Sequence, residues 1–395
     1  MATERKELSA VRFAPRPHRP GATVTVVIPC YNYARFLPAA VGSVLSQQGV
    51  IVDVIIVDDA STDDSLNVAN AIATADSRVS VLANASNAGA VTTFNRGLAE
   101  ARGEFLVRLD ADDLLTPGSL QRSVAVMQHL PDVGLVYGHP IHFTGAKLPT
   151  PRESVESWTL WSGQEWLAVR CVDGTNTITS PEVVMRKSVV DTVGGQRDLA
   201  HTHDMEMWLR MSTVADVAYL DGVDQAWHRE HPDSLSNSAE APIVILNEVR
   251  KAFDVLFSAA GESIHDSAEL HEKAHRALAS EALDQVWRQF DRGASADDVR
   301  NLLDFAASCT SDMRATRAWQ DAARRAERAS ATPRILARLR GVLPRLRRRL
   351  RTRARYKRWS KTGEYEPMNV TDGTLPGRGF DSTPTGGMMP EVEGS

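Results

Sequence analysis

Apolar residues in the first part of this chain come in short unbroken runs. Val24 to Cys30 (VTVVIPC), Val52 to Asp59 (VDVIIVDD), Arg78 to Asn84 (RVSVLAN) and Glu104 to Asp110 (EFLVRLD) follow one another at domain-like spacing. Runs of this length without alternation belong to strands covered on both faces. Between them lie helix-length segments, Ala34 to Gln47, Asp63 to Ala75 and Ala90 to Ala101, the last followed by Gly103 in a C-cap position. Strands alternating with helices predict right-handed βαβ units on a parallel sheet, which binds ligands beyond the carboxyl ends of its strands. Those ends read Pro29-Cys30-Tyr31-Asn32, Asp58-Asp59-Ala60-Ser61 and Asp110-Ala111-Asp112-Asp113, so acidic residues gather on one rim.

The pattern then loosens. Thr116-Pro117 reads as a helix start, GLVYGHPIHF as one or two strands, and Pro140 to Ser162 as a proline-rich loop. A second helix-and-strand set follows in PEVVMRKSVVDTVGG, HDMEMWLRMSTVADVAYL and AWHREHPDSLS. From Ala241 to Arg328 the chain is alanine-rich, with Val249, Phe253, Leu256 and Phe257 on one helical face, and predicts helices that pack on themselves or on the preceding body. The expected organisation is a flexible leader (1–22), an α/β domain (23–238), a helical subdomain (239–330), a basic amphipathic segment (331–361) and a Gly/Pro/Thr/Ser-rich disordered tail (362–395).

Composition changes the picture in two places. Cys30, Cys171 and Cys309 are far apart with no CxxC spacing, which argues against a disulfide framework or thiolate metal site and for a reducing compartment. With neither a signal-peptide core in the first twenty residues nor a spanning apolar run, the expected location is cytoplasmic. The formal net charge is −5, yet residues 331–361 carry 13 Lys or Arg and no Asp or Glu, so an acidic body bears a basic appendage. Ile335, Leu339, Val342, Leu343, Leu346 and Leu350 run among those arginines. An apolar stripe is superfluous for nucleic acid phosphates or for a solvated tail, so it favours an anionic membrane surface, at the inner face of the plasma membrane.

Asp110, Asp112 and Asp113 stand within four residues and repel one another unless a cation sits among them. Capping of the next helix is the plain alternative for any one acidic pair. A receiver domain is shorter than this sheet, and a haloacid-dehalogenase-like phosphatase carries DxD after its first strand, where this chain has PCYN. A nucleotide-sugar transferase fits better. Its leaving group is a diphosphate, whose growing charge a hard divalent cation on oxygen ligands neutralises.

VTVVIPCYNYARFLPAAVGSVLSQQ, VIIVDDASTDDS, NAGAVTTFNRGLAEARGEFLVRLDADDLLTPGSLQ and HDMEMWLR resemble, in order, the successive blocks of the family 2 glycosyltransferases, over roughly Thr23 to Ser236. The resemblance implies an inverting enzyme of GT-A fold, a mostly parallel Rossmann-like sheet flanked by helices, here with a C-terminal helical extension. It implies a nucleobase pocket at Pro29 and Tyr31, base recognition by Asp59 beside Asp58, and a nucleotide-facing Asn87. In the DxD stretch it implies Asp110 and Ala111 beside the ribose and Asp112 on Mn2+ or Mg2+, with Asp110 near metal-bound water. Asp113 caps the next helix or joins the site. WHREHPDSLS resembles the late loop whose histidine completes the metal site, and His231 is preferred to His228.

An inverting transfer needs a base for the incoming hydroxyl. The resemblance selects Asp204 rather than Glu206, since spacing of two sends them to different helix faces, and it offers Trp208 as an acceptor platform. Trp158, Trp161 and Trp166 are further candidates for the acceptor side. The donor implied is a nucleotide-diphosphate sugar, UDP-sugars favoured, and the acceptor a glycan or lipid-linked hydroxyl in surface-polysaccharide synthesis. The alternative is a non-catalytic nucleotide-sugar-binding or scaffold member. Three positions depart from the family pattern: Ala60 replaces a glycine, Phe94 a basic residue, and His203 the acidic residue before the base.

Overall fold

The computed structural model describes residues 9–231, 241–292, 295–329, 342–362, 364 and 369–373. The four predicted runs form strands β2 (Thr23–Cys30), β3 (Ile51–Asp58), β4 (Val79–Ala83) and β5 (Phe105–Arg108), all mutually parallel and ordered β4-β3-β2-β5. Helices α1 (Leu37–Leu45), α2 (Ser65–Ala75) and α3 (Ala90–Glu100) connect them. Side chains alternate between two cores: Val24, Val26 and Ile28 face α1 and α4 (Ser119–His129), whereas Val27, Ile55 and Val57 face α3. Strand order reverses between β2 and β5, which opens a crevice at their carboxyl ends. Gly103 is not a helix cap. A Cβ there would meet the Thr25 amide nitrogen at 2.5 Å, so glycine permits β5 to start against β2.

The remaining strands make the sheet less parallel than expected. It continues from β5 through β9 (Val184–Arg186), β7 (Val133–Phe143), β10 (Asp216–Arg229), β8 (Ser157–Trp161) and β1 (Ser9–Phe13) to β11 (Asn369–Asp372), with β6 (Leu114–Leu115) paired to β10. Among the described residues, only β7 with β10 and β1 with β11 run parallel outside β2–β5, so half of the ten described pairings are antiparallel. Two expectations therefore change. The leader contributes strand β1, and the tail contributes β11 and a buried residue, Glu364. Residues 1–8 and 374–395 lie outside the described residues, as does 331–341 of the basic segment. The 140–162 stretch holds the end of β7 and the strand β8 rather than one continuous loop.

Helices α5 (Gly163–Asp173), α6 (Lys187–Val193) and α7 (His203–Met211) belong to the second half of the sheet. Beyond them α8 (Pro242–Ala260), α9 (Ser267–Arg292), α10 (Ala296–Cys309) and α11 (Arg317–Ala329) form the helical layer, followed by α12 (Val342–Thr362). Phe253, Leu256, Phe257, Leu278 and Val286 share one core with Trp166, Leu167 and Trp208, so the helical layer packs on the sheet body as well as on itself. Helix α12 is anchored too. The Trp359 indole donates to the Thr177 carbonyl at 2.9 Å, and Glu364, fully buried, pairs with the buried Arg170. No helix among the described residues is long and apolar enough to cross a membrane.

Candidate functional site

Three loops make the rim, and their own polar side chains knit them together. Asn32 adopts φ 60°, and its Oδ1 accepts from the Thr62 amide at 2.7 Å and from Asp63 at 3.2 Å. In return the Asn32 and Tyr33 amides donate to Ser61 Oγ and Ser65 Oγ. Much of the polar sequence after β2 and β3 thus serves loop geometry. Pro29 and Tyr31 stand at this edge, with Tyr31 42% exposed. Ala60 holds φ 57° despite its Cβ, so the turn expected of glycine is kept at the cost of strain.

The two aspartates after β3 have different surroundings. Asp59 Oδ1 accepts from Asn84 Nδ2 at 2.7 Å and the Ala88 amide at 2.8 Å, and Oδ2 from the Gly89 amide at 2.9 Å. Burial raises its pKa, but these bonds outweigh it and hold the carboxyl below the usual range. Asp59 therefore anchors the loop that carries the exposed Asn87. Asp58 Oδ2 accepts from the Ser61 amide at 3.1 Å, and its buried Oδ1 has no hydrogen-bond partner among the described residues.

Beyond β5, Ala111 is buried and Asp110, Asp112 and Asp113 each meet a different group. Asp110 Oδ1 pairs with Arg108 Nη2 at 3.0 Å. Asp112 Oδ2 lies 2.9 Å from His231 Nε2. Asp113 is no helix cap: Oδ1 accepts from the Arg229 amide at 2.7 Å and Oδ2 faces His228 Nδ1 at 3.0 Å. Burial pulls the His228 pKa down, but the Asp113 carboxylate overrides it and lifts it to about 9, while burial raises that of Asp113 itself. Asp112 is pushed up to about 6 by burial and then by Asp113 and Asp110, with His231 opposing. His231 and His228 thus divide between the second and third carboxylates.

Asp204 opens α7, its Oδ2 accepting from Ser180 Oγ at 2.9 Å and its Oδ1 from the Met205 amide at 2.5 Å. Ser180 itself holds φ 107°, a strained backbone beside a candidate catalytic group. Glu206, fully buried, points the other way to pair with the buried Arg210 and the partly exposed Arg197. The aromatic candidates for the acceptor side are core instead: Trp158, Trp161, Trp166 and Trp208 are all at most 4% exposed. Their size wins burial between sheet and helices.

Arg108 joins the two halves, and sequence reasoning passed over it. Its Nη1 lies 2.6 Å from His203 Nε2, while His203 Nδ1 faces the Leu199 carbonyl at 3.2 Å. Burial and then the Arg108 cation hold the imidazole below its ordinary pKa, so His203 is neutral, donates from Nδ1 and accepts at Nε2. Arg108 also lies 5.8 Å over the Phe94 ring. The signal was present: the one charge within FLVR, a strand covered on both faces. Ser180 and its strain carried no such signal.

Residues 25–194 match the family model described as glycosyl transferase family 2. The segment 25–194 is a glycosyl transferase family 2 domain. It is 34% identical over 173 residues to a glycosyltransferase of Nostoc sp., covering 42% of this chain and 52% of that protein. It is 39% identical over 101 residues to the succinoglycan biosynthesis protein ExoO of Rhizobium meliloti, covering 26% of this chain and 28% of that one. The chain thus spans about half the length of the Nostoc relative, and less of ExoO. Among solved structures, S. aureus TarS 1-349 in complex with UDP-GlcNAc matches with a TM-score of 0.56 at 17% identity, over 74% of this chain and 83% of that one. That likeness is one of fold, the GT-A fold of the family.

Proposed function

We propose that this family 2 member transfers a sugar, with inversion, from a nucleotide-diphosphate sugar to a hydroxyl of a glycan or lipid-linked acceptor in surface-polysaccharide synthesis. The observation that carries the reading is the chain of contacts Asp110–Arg108–His203, which ties the acidic strand end to the first turn of α7, next to Asp204. Donor chemistry and acceptor chemistry are thereby held in one frame.

Asp112, with His231 and Asp110, would hold Mn2+ or Mg2+. The donor set suits such a cation, since oxygen ligands predominate and Asp112 is crowded by two further carboxylates. Bound there, the ion would neutralise charge gathering on the departing diphosphate. Pro29 and Tyr31 flank the base, and Asp58, with its spare buried acceptor, is better placed than Asp59 to take a base N–H. Asn87, Asp110 and Ala111 border the ribose and phosphates. Asp204 accepts the proton of the incoming hydroxyl while Ser180 Oγ keeps its carboxylate oriented. The exposed Arg353, Lys357 and Lys361 of α12, with Leu350 and Tyr356, support contact with an anionic membrane surface.

UDP-sugars are the favoured donors, in keeping with the UDP-GlcNAc in the TarS structure. The test is a thermal-shift panel of nucleoside diphosphates and their sugars with Mn2+ and with excess chelator. UDP should stabilise the wild type only with the ion, and Asp112→Asn should lose that increment. Equal stabilisation in chelator would refute the metal role, and no response to any nucleotide would refute the donor reading.

A further inference from the structure

Away from the rim, the helical layer holds a second group of metal-ligating side chains. His271 and His275 stand four residues apart on one face of α9, and Asp254 reaches them from α8. Both Nε2 atoms lie 2.7 Å from the same oxygen, Asp254 Oδ1, and one ligand atom from each residue falls within 4.8 Å of the others. The second nitrogen of His275, Nδ1, faces the Cys309 carbonyl at 3.3 Å. A carbonyl only accepts, so Nδ1 carries the proton, and in the neutral ring Nε2 turns a lone pair on a carboxylate oxygen that offers only lone pairs. Such an arrangement needs a cation, either an extra proton or a metal. An Nδ1–H to backbone carbonyl bond is the contact that orients a metal-binding histidine.

The two imidazoles meet edge-on with centroids 4.5 Å apart, so charging both rings is opposed by their mutual repulsion, whereas one divalent ion satisfies all three ligands. The side chains of Asp254, His271 and His275 are 44, 36 and 20% exposed, which leaves the cluster open to an ion from solvent and to a water or other fourth ligand. Two imidazoles and one carboxylate suit a borderline-soft transition ion rather than the hard ion of the rim. We propose that Asp254, His271 and His275 bind a divalent first-row transition cation of the Zn2+ class and clamp α9 to α8. The site is separate from the transfer chemistry and stands or falls without it.

The test uses the untagged full chain, stripped with chelator and titrated with Zn2+ and Co2+. One equivalent of Zn2+ should be retained, and Co2+ should give visible ligand-field bands. His271→Ala and His275→Ala should each weaken Zn2+ binding by at least ~10²-fold, because even outer-shell partners of a metal ligand are worth about 10–100-fold. Asp112→Asn should leave it unchanged. X-ray absorption on the Zn2+-bound wild type should show two imidazole nitrogens, a readout that does not depend on any variant folding. A wild type that retains no Zn2+, undiminished binding in the histidine variants, or an ion shell without imidazole would overturn the proposal, leaving a protonated His275 paired with Asp254.

Discussion

Asp59→Asn separates loop anchoring from ligand recognition. The carboxylate of Asp59, 3% exposed, accepts three hydrogen bonds from the Asn84–Gly89 loop, each from 2.7 to 2.9 Å. In the amide, Oδ1 can still accept from Asn84 and Ala88, but the new NH2 confronts the Gly89 amide donor to donor. A hydrogen bond to a charged group is worth about 1.5–3 kcal/mol and a neutral one about 1. Losing one charged bond and weakening two others costs about 3 kcal/mol, allowing for non-additivity. The acid limb gives a second signature. The folded pKa of Asp59 lies below its unfolded value, so its stabilisation is complete above the unfolded value near 4 and is lost as pH falls through the folded value. The wild-type advantage over Asp59→Asn should therefore shrink below about pH 4. Urea unfolding at pH 7 and pH 3 measures it, and hydrogen exchange of the Ala88 and Gly89 amides locates it. A loss under ~1 kcal/mol at pH 7, or unchanged protection of those amides, would refute the anchoring role.

Asp204→Asn should keep donor affinity while transfer falls roughly 10²-fold, the contribution of a positioned base; calorimetry beside turnover checks it, and a near wild-type rate moves the base elsewhere. Glu206→Gln should instead lower stability by about 3 kcal/mol in urea unfolding, because Arg210 and Arg197 lose their buried counter-ion. Ala60→Gly should raise stability by about 0.5–1 kcal/mol, the relief of a left-handed Cβ less the entropy of glycine; a fall in melting temperature would count against it. Glu364→Gln should cost about 1.5–3 kcal/mol, the worth of a hydrogen bond to a charged group, because the buried Arg170 keeps Asp173 but loses its second carboxylate; urea unfolding then shows a tail residue acting as core. Reversing Arg353, Lys357 and Lys361 to Glu should reduce sedimentation with anionic vesicles without changing the nucleotide thermal shift; unchanged sedimentation removes the membrane role.

What the sequence determined by itself was everything written in local period. Runs such as VTVVIPC and VDVIIVDD cannot be exposed on either face, so they specified parallel strands, and parallel strands specified which ends carry the ligand. That placed Asp58, Asp59, Asp110 and Asp112 on one rim, and the blocks around them carried the resemblance to family 2 glycosyltransferases. Partners distant in sequence were decided only by the tertiary structure. Nothing near Ser9 or Asn369 reads as a strand, because a short edge strand is made by the pairing it finds. Trp208 and Trp161 read equally as sugar platforms or core, and only packing against the helical layer settled them as core. Glu364 sits in polar, proline-rich sequence, yet it lies in the interior, where Arg170 pairs with it as well as with its sequence neighbour Asp173. Likewise Arg108 was visible as a charge in an apolar strand, but its partners Asp110 and His203 lie far apart in sequence, and their convergence is a property of the folded sheet.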